Sequence, residues 1–281
     1  MRFSAHWFRY GMRVLFTSSL LGACVMASAA GGDGDDEATV LALFGAIQLE
    51  METGLTGGDK SCVQKIEPYP FPQDVLSEQY LWYVRSLPSG FKASPVVLTE
   101  KEKLFFNLIE SKVRKSKYGS ELFEASSHLG FQFAGFTGST SKANTNPQSR
   151  LIRIREGLDS DTATLSLTYE FSNLINSGRY RAILEDAQLC QLNETTYAKL
   201  IMKLEAEAIL RRSIVARELG LDHLVENKNY HRIALAGGVP TEDKIGMIVD
   251  EMRERGKVGQ NKIPVTEYYR SQFKQYYRHC L

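Results

Sequence analysis

The polar and apolar positions fall into blocks of helical and strand period from residue 99 onward. Thr99-Glu-Lys-Glu102 predicts a capping box, with the threonine taking an orphan amide and the glutamate reaching back. Leu104, Phe105, Leu108, Ile109 and Val113 then form the apolar stripe of a long helix. A short helix over residues 120–128 ends at Gly130, with His128 near its end. Residues 131–136 alternate as a strand, 137–149 are a polar loop, and 150–155 alternate as a second strand. Asp159, Ser160 and Asp161 offer N-caps for a helix that Gly178 stops. Its Leu167, Phe171, Leu174 and Ile175 share one face, with Tyr169, Glu170 and Asn173 beside it. A long helix follows over residues 194–219, capped by Asn193 and ended by Gly220. Two further helices are expected over 241–255 and 265–279. The tyrosine pairs 268–269 and 276–277 put aromatics on one face of the second, as core packing or as a partner surface.

The N-terminal part reads differently. Arg2, Arg9 and Arg13 precede an apolar run over residues 14–26, too short to span a bilayer, and Ala27-Ser28-Ala29 is a small-x-small cleavage site. This is a bacterial export leader, and it places the mature chain in the periplasm, on the outer membrane as a lipoprotein, or in the medium. Leu20-Leu21-Gly22-Ala23-Cys24 also has the layout of a lipobox. Either residues 1–29 are removed, or the leader ends at 23 and Cys24 is the lipidation site. Residues 30–37 are expected to be a flexible acidic tether. Residues 38–95 are expected to be an N-terminal helical region: a helix over 38–52, a break at Gly54–Gly58, prolines at 68, 70 and 72, and an apolar helix over 75–86.

Composition narrows the function classes. The 281-residue chain carries a net charge of +1, so neither a nucleic-acid surface nor an acidic partner follows from its overall charge. Basic clusters at 112–117 and at Arg211-Arg212 are expected to be solvated helix faces. Cys62, Cys190 and Cys280 allow one disulfide in an oxidising compartment, with three pairings open. His223 and His231 lie eight apart across an expected loop. No phosphate-binding, dinucleotide or serine-nucleophile motif is present, and residues 236–240 read as a turn.

The candidate chemistry lies in Leu165-Ser-Leu-Thr-Tyr169-Glu170-Phe-Ser-Asn173-Leu-Ile-Asn176. With Ser116-Lys-Tyr-Gly-Ser-Glu-Leu122, Gly130-Phe-Gln-Phe133, and Leu204-Glu-Ala-Glu-Ala-Ile209 continuing to Ala216-Arg-Glu-Leu-Gly220, this string resembles compact gluzincin-type metallopeptidase domains of bacterial secreted proteins. In that family the motif is His-Glu-x-x-His, with two zinc histidines and a general-base glutamate. Here Glu170 stands at the base position, while Tyr169 and Asn173 replace both histidines. The resemblance covers about residues 99–221. It implies an α+β, mainly helical, zincin-like domain over 96–221 with a small sheet, and leaves 222–281 as a C-terminal helical extension. It puts the third zinc ligand at Glu207, or less favourably at Glu205. On a helical wheel Glu207 lies about 60° from the apolar stripe of its helix and Glu205 about 100°. A carboxylate near a buried face needs a partner, and Arg211 one turn later is expected to supply it in place of metal.

Three readings follow. The first is a non-catalytic pseudo-metallopeptidase that binds a protein or peptide in the envelope, for example by strand addition along the strand before the Glu170 helix. It needs no cofactor, binds no nucleic acid, and meets the membrane only through a lipid on Cys24. The second is a noncanonical zinc peptidase with Glu170 as base and ligands drawn from Tyr169, Glu207 and a distal histidine. The third is a structural exported domain without peptidase ancestry, in which Tyr169 and Asn173 are packing residues.

Overall fold

A computed structural model describes residues 96–138, 141–146, 150–258 and 262–281. The leader, Cys24, the tether, the N-terminal helical region and Cys62 lie outside the described residues. Those described are mainly helical with a small sheet. In chain order they form α1 (Glu100–Val113), α2 (Lys117–His128), β1 (Gln132–Thr137), β2 (Ala143–Asn146), β3 (Leu151–Arg155), α3 (Ser160–Ile175), α4 (Ser177–Gln188) and α5 (Glu194–Leu219). A 3₁₀ turn (Asp222–Leu224) leads to α6 (Lys228–Ala234), α7 (Thr241–Arg255), the two-residue strands β4 (Lys257–Val258) and β5 (Ile263–Pro264), and α8 (Val265–Tyr276).

α5 is the axis of the molecule. α3, α8, α7, α6, α2 and α4 all pack on it. Its middle, from Leu204 to Ser213, is therefore buried on every side. Arg211 and Arg212 belong to this stretch, 0% and 7% exposed, and are not the solvated face their charge predicts. One continuous core runs from Ile109 on α1 to Tyr277 beyond α8. Residues 222–281 contribute Tyr230, Ile233, Ile245, Ile248, Phe273 and Tyr277 to it. Tyr197 on α5 meets the rings of Phe273 and Tyr277 at 5.5 and 5.8 Å, so these tail aromatics pack the core.

The sheet has the order β1-β3-β2, with β1 parallel and β2 antiparallel to β3. β2 arises inside the expected polar loop, because Ala143 and Thr145 turn inward while Asn144 and Asn146 do not. β3, the strand before α3, is thereby flanked on both sides. Strand addition along β3 has no open edge to use.

The capping box of α1 also fixes the sheet. Glu102 accepts from the Thr99 amide at 2.8 Å and, through its other oxygen, from the Phe136 amide at 3.0 Å. These hydrogen bonds, first those of Thr99, hold its carboxyl below the usual range. The contact falls where β1 shifts register between Phe133 and Phe136. Gly135 sits there at φ +86°, and a Cβ on it would approach Glu102 Oε1 to 2.2 Å.

Candidate functional site

α3 carries the motif residues and is buried along almost its whole length, from Ala163 to Ile175. Its polar positions survive burial by local bonding. Thr164, Ser166, Thr168 and Ser172 each donate to the carbonyl four residues earlier, at 2.6, 2.9, 2.9 and 3.2 Å. Asp159 caps the helix through the amides of Asp161 and Thr162.

Tyr169, Glu170 and Asn173 are 7%, 1% and 0% exposed and divide into two groups. Glu170 Oε2 accepts from Thr145 Oγ1 of β2 at 2.6 Å and from Asn173 Nδ2 at 3.3 Å. Tyr169 instead donates its phenol proton to Glu205 Oε2, and Tyr180 of α4 donates to Glu205 Oε1 at 2.5 Å. Burial, followed by the Glu205 charge, raises both phenols well above their ordinary pKa, so both stay protonated. Burial likewise pushes the Glu205 carboxyl up to about 7, against the downward pull of the two phenol hydrogen bonds.

Glu207 lies in a separate buried charge cluster. Arg179 of α4 grips both its oxygens, at 2.5 and 2.8 Å. The expected Arg211 contact is present but looser, at 3.7 Å, and Arg211 also donates to Asn176 Oδ1 at 3.3 Å. Arg179 was hidden because Gly178 reads as a helix stop, whereas α4 begins at Ser177 and runs through it. The wheel also misplaced Glu205, which is 2% exposed. A single apolar stripe cannot describe a helix enclosed on all sides.

Tyr169 and Glu205 line a cavity of about 540 Å³, within the size range of small-ligand sites. It opens between α5, the segment entering α6, the end of α7 with β4, and α8. Arg212 lines it too, with its guanidinium 5.2 Å from the Tyr169 ring centroid. Glu170, Asn173 and Glu207 do not line it.

This donor set does not fit zinc. Zinc needs several imidazole, thiolate or carboxylate lone pairs converging on one point. Tyr169 is a protonated donor to Glu205, Asn173 turns its amide to Glu170, and two guanidiniums hold Glu207. Among the described residues, His231 and His279 add no ligand to this set. His231 Nε2 pairs with Asp222 Oδ1 at 2.8 Å, on a helix, α6, that the sequence reads as loop. Among the described residues the grouping with metal-ligating types is Cys190, His279 and Cys280. There the sulfurs of Cys190 and Cys280 form a disulfide, and His279 Nε2 meets the Gln188 carbonyl at 3.0 Å.

No family model matches this chain, and none of the curated proteins or solved structures compared with it does.

Proposed function

We propose that the chain is an exported envelope protein whose described part is a degenerate metallopeptidase-like domain that binds a protein or peptide without cleaving it. The leader motif supports export, with Cys24 as the lipid anchor if the lipobox is used. The observation that carries the binding role is the cavity beside Tyr169 and Glu205. A concave site of this size survives next to the motif helix, while the carboxylate inside it is hydrogen-bonded by two phenols. Glu170 faces Thr145 of β2, outside that cavity, where a general base would have no substrate to act on.

The test is to incubate the full chain with a mixed-sequence peptide library and zinc, following amide exchange and peptide masses together. Peptides should slow exchange at residues 226–230 and 255–258 and remain intact. Cleavage that disappears in Glu170→Gln would establish the peptidase reading instead. Unchanged exchange with every peptide would remove the binding role.

A further inference from the structure

The Cys190–Cys280 disulfide lies outside the cavity lining, at the C-terminal end of α4. It meets solvent, with Cys190 exposed and Cys280 half-buried. Each cysteine is placed by bonds that do not need the disulfide. Cys190 follows α4 in the left-handed region, at φ +56°, where glycine is the usual residue. Its amide donates to the Ala187 carbonyl at 3.1 Å, and the Gln191 amide donates to the Asp186 carbonyl at 2.9 Å, the two bonds of a Schellman turn. The Cys280 amide donates to the Tyr277 carbonyl at 2.9 Å, and Tyr277 is fixed in the core. Cys280 Sγ also lies 3.4 Å from the Ala187 carbonyl oxygen. Opening the disulfide therefore leaves two thiols side by side.

His279 stands next to them. One of its ring nitrogens and the two sulfurs lie within 4.8 Å of one another. A carbonyl oxygen only accepts, so the 3.0 Å contact with Gln188 puts the proton of the neutral ring on Nε2 and leaves Nδ1 its lone pair. Metal-binding imidazoles are commonly oriented by such a carbonyl. With zinc about 2.3 Å from sulfur and about 2.0 Å from nitrogen, the donors of a tetrahedral shell lie about 3.5–4 Å apart. The three side chains are already near that spacing. The last carbonyls of α4 favour positive charge at the same place.

The geometry points to a redox-gated metal site: with the disulfide reduced, Cys190, Cys280 and His279 bind one zinc ion, and water completes the shell. The disulfide opens by exchange with two thiols of a reductant. These give up two electrons and two protons and become a disulfide themselves, leaving Cys190 and Cys280 as thiols. Zinc then takes both as thiolates, releasing two protons with no further electron transfer. The cystine and the zinc site exclude each other, because both use the same two sulfurs. The site is independent of the peptide-binding reading and of the Tyr169–Glu205 cavity.

The test reduces the full chain with a phosphine, desalts it under nitrogen, soaks it with zinc, desalts again and measures bound metal by elemental mass spectrometry. The reduced chain should keep one zinc and the oxidised chain none. Cobalt in place of zinc should give thiolate-to-metal charge-transfer absorption, and zinc should raise the denaturant midpoint of the reduced chain. His279→Gln, at an exposed position that can still donate to the Gln188 carbonyl, should weaken zinc at least about tenfold. Cys190→Ser should abolish stoichiometric zinc, and Cys24→Ser with Cys62→Ser should leave it intact. No zinc in the reduced chain would overturn the inference. So would undiminished zinc in His279→Gln or Cys190→Ser, or its loss in the Cys24→Ser, Cys62→Ser variant.

Discussion

Glu205 is held as an acid out of its usual range. Its folded pKa of about 7 lies above the ordinary value of 4.5, so the folded state binds the proton more tightly. The sign follows directly: stability is greatest below about pH 4.5, falls as pH rises toward 7, and levels off above it. The size is on the order of 3 kcal/mol, at about 1.4 kcal/mol per unit. Glu205→Gln should remove this contribution, because an amide can still accept from one phenol and donate to the other. Urea unfolding at pH 5 and pH 8 checks it, and an equal pH response in both proteins would refute the assignment. Glu207 behaves differently. Glu207→Ala leaves Arg179 and Arg211 buried without their carboxylate, and should cost about 3–5 kcal/mol in the same assay. The need of Glu207 for a buried partner was legible in the chain, and that of Glu205 was not. Nor were the actual partners of the motif glutamates, Tyr180, Arg179 and Thr145, because each comes from an element that sequence period misjudged or missed.

Elements with strong local punctuation read correctly. Thr99 and Glu102 cap α1 reciprocally, Asn193 caps α5, and Gly220 ends it in the left-handed region at φ +69°. The missed elements are too short or too polar to stand out, or contradict their marks; even α6, which Asn227 caps through the amides of Asn229 and Tyr230, is of this kind. β2 is a four-residue run of Ala, Asn and Thr, too polar to stand out, and exists because β3 pairs with it. α4 overrides the glycine at 178 because Tyr180, Ile183, Leu184 and Ala187 bury its inner face. α6 is seven residues long and cannot be helical without its neighbours. At this scale Gly135 is the sensitive joint between α1 and β1. Gly135→Ala combines a disfavoured φ with a clash on Glu102 and should cost about 1–3 kcal/mol. Thermal unfolding would show it as a lowered Tm, and an unchanged Tm would mean the joint relaxes freely.

Across the whole molecule, α5 and the continuous core tie the helices after residue 222 to the motif helix, so the cavity is bounded by parts distant in sequence. The Cys190–Cys280 disulfide closes this unit by joining the segment after α4 to the C-terminus over a separation of 90 residues. Sequence offered three pairings; the structure selects this one because the final turn packs near the end of α4, where His279 reaches Gln188. Cys190→Ser should lower stability by about 2–4 kcal/mol without abolishing the fold, read as a shift in the denaturant midpoint that reductant reproduces in the parent protein. The central claim of the proposed function is that the Tyr169–Glu205 site is bonded through phenols and does not hold zinc. Elemental mass spectrometry on the non-reduced protein, before and after zinc soaking and desalting, tests this most directly. The account predicts no stoichiometric zinc in either sample. One zinc per chain, lost on Glu205→Gln, would contradict it and make Tyr169 and Glu205 metal ligands.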